Sequence, residues 1–552
     1  MKKRVRTHYL WYSLGLLLPL GLLLLGTFLP LQASPTEGVV VLANSRDRDS
    51  VKLAEHYLEE RGIPSENLVS LPMTTAETIS WDTFWEEIFN PLQEALLEDG
   101  WINGRVREGT RENGRANHQV QGHRMTFLVT SLGVPLRIRH DPELVTEQDR
   151  QRFPEPQRTN QAAVDQVLAL LAVNEFPLTG PLPNPFFQNP NPSEDILRSV
   201  IRVSRLDGPT LRTAQGLVDR ALYGEKHGLR GRSYIDLTGG RPHPKGDEWL
   251  EKAAEHLAAE HFDQTIDRER RIFAPLDRFD AAAWYFGWYT QNMSGPFELA
   301  GFEFAPGAIG FHIHSFSATT VRSRERGWVG PLVGKGITAT VGNVFEPYLE
   351  ISHRPDLLVE GLLEHGMSFG EAAWYAMPAL AWQGISIGDP LYQPMTFSLE
   401  QQLAAEDPGI VFYQQYAVIR EMNRLRAEES DENAIAFARQ AFPETSGVAL
   451  GYAIAQLLQE EEVAGFLAFL RYGSFVVDRE LGLLREVAQF LEDRGAEGEA
   501  LSIYEKLISR VDLSPALRRE LLEEGISKAR AAPRYDLVNR WEAILYSLEE
   551  RE

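Results

Sequence analysis

Short apolar runs alternate with amphipathic segments along the first three quarters of this chain. "GVVVLAN" (38–44) is apolar and rich in β-branched residues, which predicts a strand. In "SVKLAEHYLEERGIP" (50–64), Val51, Ala54, Tyr57 and Leu58 recur at helical spacing, and Gly62 followed by Pro64 stops the helix. "MTFLVTSLGVPL" (125–136) predicts another buried strand, and "SYIDL", "AAWYFGWY", "AIGFHIHS", "ITATVGNV" and "GISIGDP" predict five more. Between them "TLRTAQGLVDRALYGEKHG", "DEWLEKAAEHLAAE" and "SFGEAAWYAMPAL" predict helices, and "WVGPLVGKG" a short helix or loop. Strands that alternate with helices imply an α/β body over residues 35–397. Its sheet is mainly parallel with helices on both faces, as one unit or two halves side by side.

Two stretches break the alternation. "GWINGRVREGTRENGRANHQVQGH" (100–123) is polar, basic and punctuated by glycine, which predicts an exposed insertion, and 140–160 is charged and predicts loop. From residue 398 strand-like runs vanish and Leu, Ala, Glu and Arg dominate, so 398–552 is expected to be an all-α module. In "LREVAQFLEDRGAEGEALSIYEKLIS" the residues Val487, Phe490, Leu491, Ala500, Leu501 and Tyr504, with Gly495 at the turn, are similar to a tetratricopeptide-type helix pair. "AIAFARQAF…LGYAIAQLLQ" is a looser copy. A plain helical bundle is the alternative, and a repeat-like module acts by binding another protein.

Composition narrows the function. With 552 residues, two or three domains are expected. A formal net charge of −23 argues against a nucleic-acid partner, since counterion displacement needs cations. The chain has no cysteine, which removes disulfides, thiolate metal sites, lipid-modified cysteine and a thiol nucleophile together. "MKKRVRTH" is a basic flank before the uncharged run Tyr9–Leu31, long enough to span a bilayer. Residues 1–34 therefore predict a membrane anchor, or a signal peptide cut after Ala33, with the body outside the cytoplasm and the cytoplasmic membrane as a partner.

Four phrases in order resemble the gingipain group of cysteine peptidases, which have a caspase-like α/β fold: "MTFLVTSLGVPL", "VSRLDGPTLRTAQGLVDRALYGE", "GKGITATVGNV" and "GISIGDPLY". The chain also resembles an uncharacterised exported bacterial family of exosortase-bearing genomes, familiar for "HIHSFSATT", "GNVFEPYL" and "GDPLYQP". The peptidase resemblance implies a catalytic His-Gly after one strand and a Cys after the next. Here those slots fall near Gly287-Trp288 and His314-Ser315, so the base is missing and the nucleophile is at best a serine.

Ligands in an open parallel sheet bind beyond the carboxyl ends of the strands. Read that way, the candidates are Asn44 and Ser45, His314 and Ser315, Asn343 and Glu346, and Asp389, with Asp165 a further cleft candidate. Three readings stay open. His312 and His314 are hydrogen-bonded core histidines with Ser315 and Ser317 as helix caps. Or Ser315 is a nucleophile, His314 or His312 its base, and Asp389 or Glu346 orients the imidazole. Or His312 and His314, two apart on one strand face, hold a metal with Glu346 or Asp389. Asp207 is expected to cap the next helix, Arg322 to sit in a surface ion pair or clamp an anion, and Trp284, Tyr285, Trp288 and Tyr289 to be core. No cofactor is expected. The function expected is a binding or scaffold role at the cell envelope in surface-protein or polymer handling, with a Ser315 hydrolase or a histidine metal site as alternatives.

Overall fold

The computed structural model describes residues 36–239, 244–405, 411–445, 447–458, 480–510 and 513–550. The expected anchor at 1–34 lies outside them. Among the described residues no helix is long and apolar enough to cross a membrane.

Ten strands form the central sheet. The first five are β1 (Val39–Asn44), β2 (Leu68–Leu71), β3 (Phe127–Ser131), β4 (Val203–Leu206) and β5 (Arg232–Asp236). The others are β6 (Gln264–Asp267), β7 (Ala282–Gly287), β8 (Ile309–His312), β9 (Ala339–Asn343) and β10 (Gly384–Ile387). Their order across the sheet is β6-β5-β7-β8-β9-β10-β4-β3-β1-β2. Neighbours within β6-β5-β7-β8-β9 and within β4-β3-β1-β2 pair in parallel, whereas β10 runs antiparallel to β9.

β10 meets β4 through one register pair, Arg205 with Ile387, which is locally parallel but too short to set the direction of the whole strand. Side-chain bonds across the seam set it instead. Arg137, after β3, donates to Val344 O after β9 (2.8 Å) and Thr319 Oγ1 after β8 (3.0 Å). Arg322, after β8, donates to Thr75 O after β2 (2.7 Å) and Val134 O after β3 (3.3 Å). The carboxyl ends of both parallel sets therefore share one edge. β10 starts at that edge, where Val344 N donates to Gln383 O (2.9 Å), and finishes at the other.

Alternation along the strands sends side chains to both faces. Val39, Val41 and Ala43 of β1 join the core beneath α1 (Arg48–Arg61) and α2 (Leu211–His227), while Val40 and Leu42 join the aromatic core of the helical stretch 81–98. In the second set, Trp284 and Phe286 of β7 pack with α3 (Pro244–Ala259), α4 (Pro355–Leu363) and α5 (Phe369–Tyr375). Local chemistry fixes the helix ends. Asp47 accepts from Asp49 N at the start of α1, and Gly62, at φ 63°, closes it in the left-handed region that glycine enters freely.

Two expectations need correction. The stretch 100–123 is not a free loop: Ile102–Arg105 and Gln119–His123 pair as a hairpin, and Arg115, His118 and His123 are buried. "SFGEAAWYAMPAL" is helical only to Tyr375, and Ala379–Leu380 then pairs with Leu182–Pro183. β2, β4, β6 and α4 had no sequence expectation at all.

The carboxy-terminal region is all helical among the described residues. It contains α6 (Val411–Glu428), α7 (Asp431–Ala441), α8 (Val448–Leu457), α9 (Leu481–Glu492), α10 (Glu497–Ile508), α11 (Pro515–Ala531) and α12 (Tyr535–Glu549). α6 with α7, α9 with α10 and α11 with α12 pack as successive pairs. A buried charge cluster joins them to the sheet. Tyr416 of α6 donates to Asp280 Oδ2 (2.6 Å), Arg278 Nε donates to Asp280 Oδ1 (2.7 Å), and Arg278 Nη1 reaches Glu486 of α9 (3.4 Å). Burial alone raises the Asp280 carboxyl, but Arg278 and Arg232 outweigh it and bring the pKa down to about 2. Tyr416→Phe removes a hydroxyl donor from a buried carboxylate, so the unfolding free energy falls by about 1.5–3 kcal/mol, measured as a lowered urea midpoint at unchanged m.

Candidate functional site

β7 and β8 are adjacent, with Gly287 opposite His312. The residues that follow each strand, Trp288–Tyr289 and Ile313–Ser315, therefore emerge together at the carboxyl edge. With Asn343 and Glu346 beyond β9 they line a cleft of about 470 Å3 whose far wall is Tyr348. Tyr289 is 44% exposed, so one wall of the cleft is an accessible aromatic ring.

His312 is not part of this cleft. Its ring stacks on Trp328 at 3.5 Å between centroids and 8° between planes. Thr290 N donates to Nε2 (3.1 Å), and Nδ1 lies 2.8 Å from the Tyr285 hydroxyl. A backbone N–H can only donate, so Nε2 is an acceptor and the neutral Nδ1–H tautomer donates to Tyr285. Burial holds its pKa well below the ordinary imidazole value. Both nitrogens are committed, which leaves no lone pair for a metal. The expected His312–His314 ligand pair is corrected on that ground: the strand ends at His312, and the turn after it sends His314 elsewhere.

His314 is half-buried, with its ring 4.7 Å from that of Tyr289. Its Nδ1–H donates to the carbonyl of Ser315, which fixes Nε2 as the unprotonated nitrogen. Burial lowers its pKa, opposed by the Ser315 carbonyl and the Glu346 charge, so the ring is neutral at pH 7. Ser315 Oγ forms no hydrogen bond among the described residues. Glu346 Oε1 accepts from Tyr348 N (3.2 Å) within its own turn. Asn343 is buried and donates to His314 O (3.2 Å) and Ser352 Oγ (3.1 Å), so it shapes the turn that carries His314. Ser317 Oγ accepts from Asn343 N (3.0 Å) and ties the same turn to β9.

The remaining candidates lie elsewhere. Asp389 is at the end of reversed β10, on the amino edge, where it accepts from Tyr57 Oη (2.8 Å) and from Arg61 at the end of α1. It cannot orient His314. Asn44 is buried and fully used, donating to Gly133 O (2.9 Å) and accepting from Met73 N (3.1 Å). Asp165 is buried in a two-pronged pair with Arg205. Asp207 shares that arginine, and Thr210 rather than Asp207 caps α2. Sequence reasoning missed Asp247, which accepts from the Trp288 indole N–H (2.6 Å) and from Thr238. It also missed Tyr348 as a cleft wall.

No family model matches the chain, and no curated protein matches it. Among solved structures it is similar to the complex of Porphyromonas gingivalis RgpB pro- and mature domains, a gingipain, at 9% identity and a TM-score of 0.37. That likeness covers 64% of this chain and 79% of that one.

Proposed function

We propose that this chain is a catalytically degenerate, gingipain-like protein that holds a ligand in the His314–Tyr289 cleft and does not cleave it. One observation carries this reading. Ser315 Oγ makes no hydrogen bond among the described residues, so His314 Nε2, although the Nδ1–H bond to the Ser315 carbonyl leaves it unprotonated, does not engage the hydroxyl. A serine hydroxyl attacks only when a positioned base takes its proton, and that base in turn needs an orienting partner. Glu346 bonds its own turn and Asp389 is on the opposite edge, so no carboxylate stands behind the imidazole to stabilise its protonated form.

The resemblance supports the same view. The sequence resemblance puts the peptidases' histidine slot near Gly287-Trp288, where no imidazole stands and the Trp288 indole N–H donates to Asp247. What the cleft retains is a recognition surface: two tyrosine rings, a neutral imidazole, a free hydroxyl and two glutamates, Glu346 and Glu350. The basic flank and apolar run at the amino terminus support a place at the cell envelope, in surface-protein or polymer handling, and the helical region supplies the surface for a protein partner.

Fluorophosphonate profiling of the full chain tests the central claim. No labelling above that of Ser315→Ala is expected. Labelling that Ser315→Ala abolishes would establish a serine hydrolase and overturn the proposal.

A further inference from the structure

At the seam between the two parallel sets, a second recess of about 490 Å3 opens on the carboxyl edge. Arg137, Arg322 and Arg326 line it together with Glu77, Thr319, Thr320 and Ser323. Two of these guanidiniums are held by neutral acceptors. Arg137 donates through Nε to Thr78 Oγ1 (2.9 Å) and through Nη1 to Thr319 Oγ1 (3.0 Å) and Val344 O (2.8 Å), and it lies 4.8 Å from the centre of the Phe345 ring. Arg322 is fixed by Thr75 O and Val134 O. Bonds of this kind orient a guanidinium without cancelling its charge.

Two carboxylates offset part of this charge, Glu77 in the recess itself and Asp207 beside Arg322. Glu77 accepts from Val321 N (3.1 Å) and Thr320 Oγ1 (2.7 Å). Asp207 lies 3.9 Å from Arg322 Nε but also accepts from Arg205 (3.3 Å). Burial lowers the Arg137 pKa, with Glu77 opposing, which marks a half-buried cation whose counter-charge is incomplete. Arg326 is exposed and makes no salt bridge among the described residues. The hydroxyls complete the arrangement. Thr319 Oγ1 accepts from Arg137, and Ser323 Oγ accepts from Glu325 N and Arg326 N (3.1 Å each), so each keeps its own proton to donate. In a chain of net charge −23, a recess lined by three arginines and one glutamate keeps a local excess of positive charge.

We propose that this recess binds an oxyanion, the carboxylate or phosphate group of a ligand, through Arg137 and Arg326 with hydroxyl donors from Thr319 and Ser323. The site is distinct from the His314 cleft and stands whichever way the labelling experiment falls. Its position at the carboxyl edge, where the strand order changes hands, is where an open α/β sheet takes ligands.

Isothermal titration of the full chain at low ionic strength, with inorganic pyrophosphate in one series and citrate in the other, tests it. Saturable one-site binding of at least one anion is expected, and the tighter of the two identifies phosphate or carboxylate as the group. Arg326→Ala, exposed and outside the core, is expected to weaken that binding about tenfold or more with an unchanged circular dichroism spectrum, and Arg326→Lys to restore part of it. If neither anion saturates, or if Arg326→Ala binds as well as the parent chain, the oxyanion site is wrong.

Discussion

Asp165→Ala lowers the unfolding free energy by about 3–5 kcal/mol, the largest loss expected from any single change considered for this chain. Arg205 is fully buried at the carboxyl end of β4, in the middle of the sheet. Its fork closes on Asp165, Nε to Oδ2 at 2.9 Å and Nη2 to Oδ1 at 2.6 Å, while Nη1 and Nη2 also donate to Val134 O and Pro135 O at 2.9 Å each. Removing the aspartate strands a guanidinium that water cannot reach. Asp207 remains at 3.3 Å but compensates poorly, since burial raises its own pKa. The cost should come from the orphaned charge and not from lost pair energy. Accordingly, the double change Asp165→Leu with Arg205→Met is expected to cost less than Asp165→Ala alone. Urea unfolding at pH 7 reads both, and a shift below about 1 kcal/mol for Asp165→Ala would show that the pair is not closed.

Asp236→Asn is expected to remove a pH dependence that the parent chain shows between about pH 5 and 8. Asp236 and Asp267 end neighbouring strands in register, and Asp236 Oδ1 is buried without a hydrogen-bond partner. Burial is the main cause that raises its pKa to about 8; the Phe273 N–H bond opposes it and the Asp267 charge adds to it. The unfolded chain carries this carboxyl near its ordinary value, so the folded state holds the proton more tightly. Stability from this group is therefore complete below about pH 4 and is lost as pH rises through 8, at up to about 1.4 kcal/mol per pH unit. Asparagine keeps the shape of the protonated acid and can still accept from Phe273 N. The variant should match the parent near pH 4 and exceed it by a few kcal/mol at pH 8 in chemical denaturation. Parallel pH profiles for the two proteins would refute this.

Periodicity located the strands whose interiors are uniformly apolar, and with them part of the cleft: His314, Ser315 and Glu346 do converge at one edge, whereas Tyr289, expected in the core, is 44% exposed and forms a wall of it. It failed where charge sits inside a strand. "VSRL" hides β4 because Arg205 is neutralised by a residue 40 positions earlier, which no local pattern displays. Asp389 was misplaced for a different reason. "GISIGDP" has the same alternation in either direction, and only the contacts of Gln383 and Arg61 reveal that β10 is reversed. His312 and His314 were assigned to one face because a two-residue spacing assumes that the strand continues, and this one stops between them. The stretch 100–123 looked solvent-borne because Arg115, His118 and His123 are buried in it beside only a few scattered apolar residues, Trp101, Ile102, Ala116 and Val120: the Arg115 guanidinium lies 4.5 Å from the Phe176 ring.

The bond from Tyr416 to Asp280 bears on how a grip on the helices would be felt. Composition changes near residue 398, yet residues 35–552 form one body, and the ionic hub under α6 and α9 takes its carboxylate and two of its arginines from the segments flanking β7 and from β5. Tension applied to the carboxy-terminal helices would thus be delivered directly to β5 and to the entry of β7, the neighbour of the strand that leads to His314. A protein that docks there pulls on the sheet itself, not on a tethered arm.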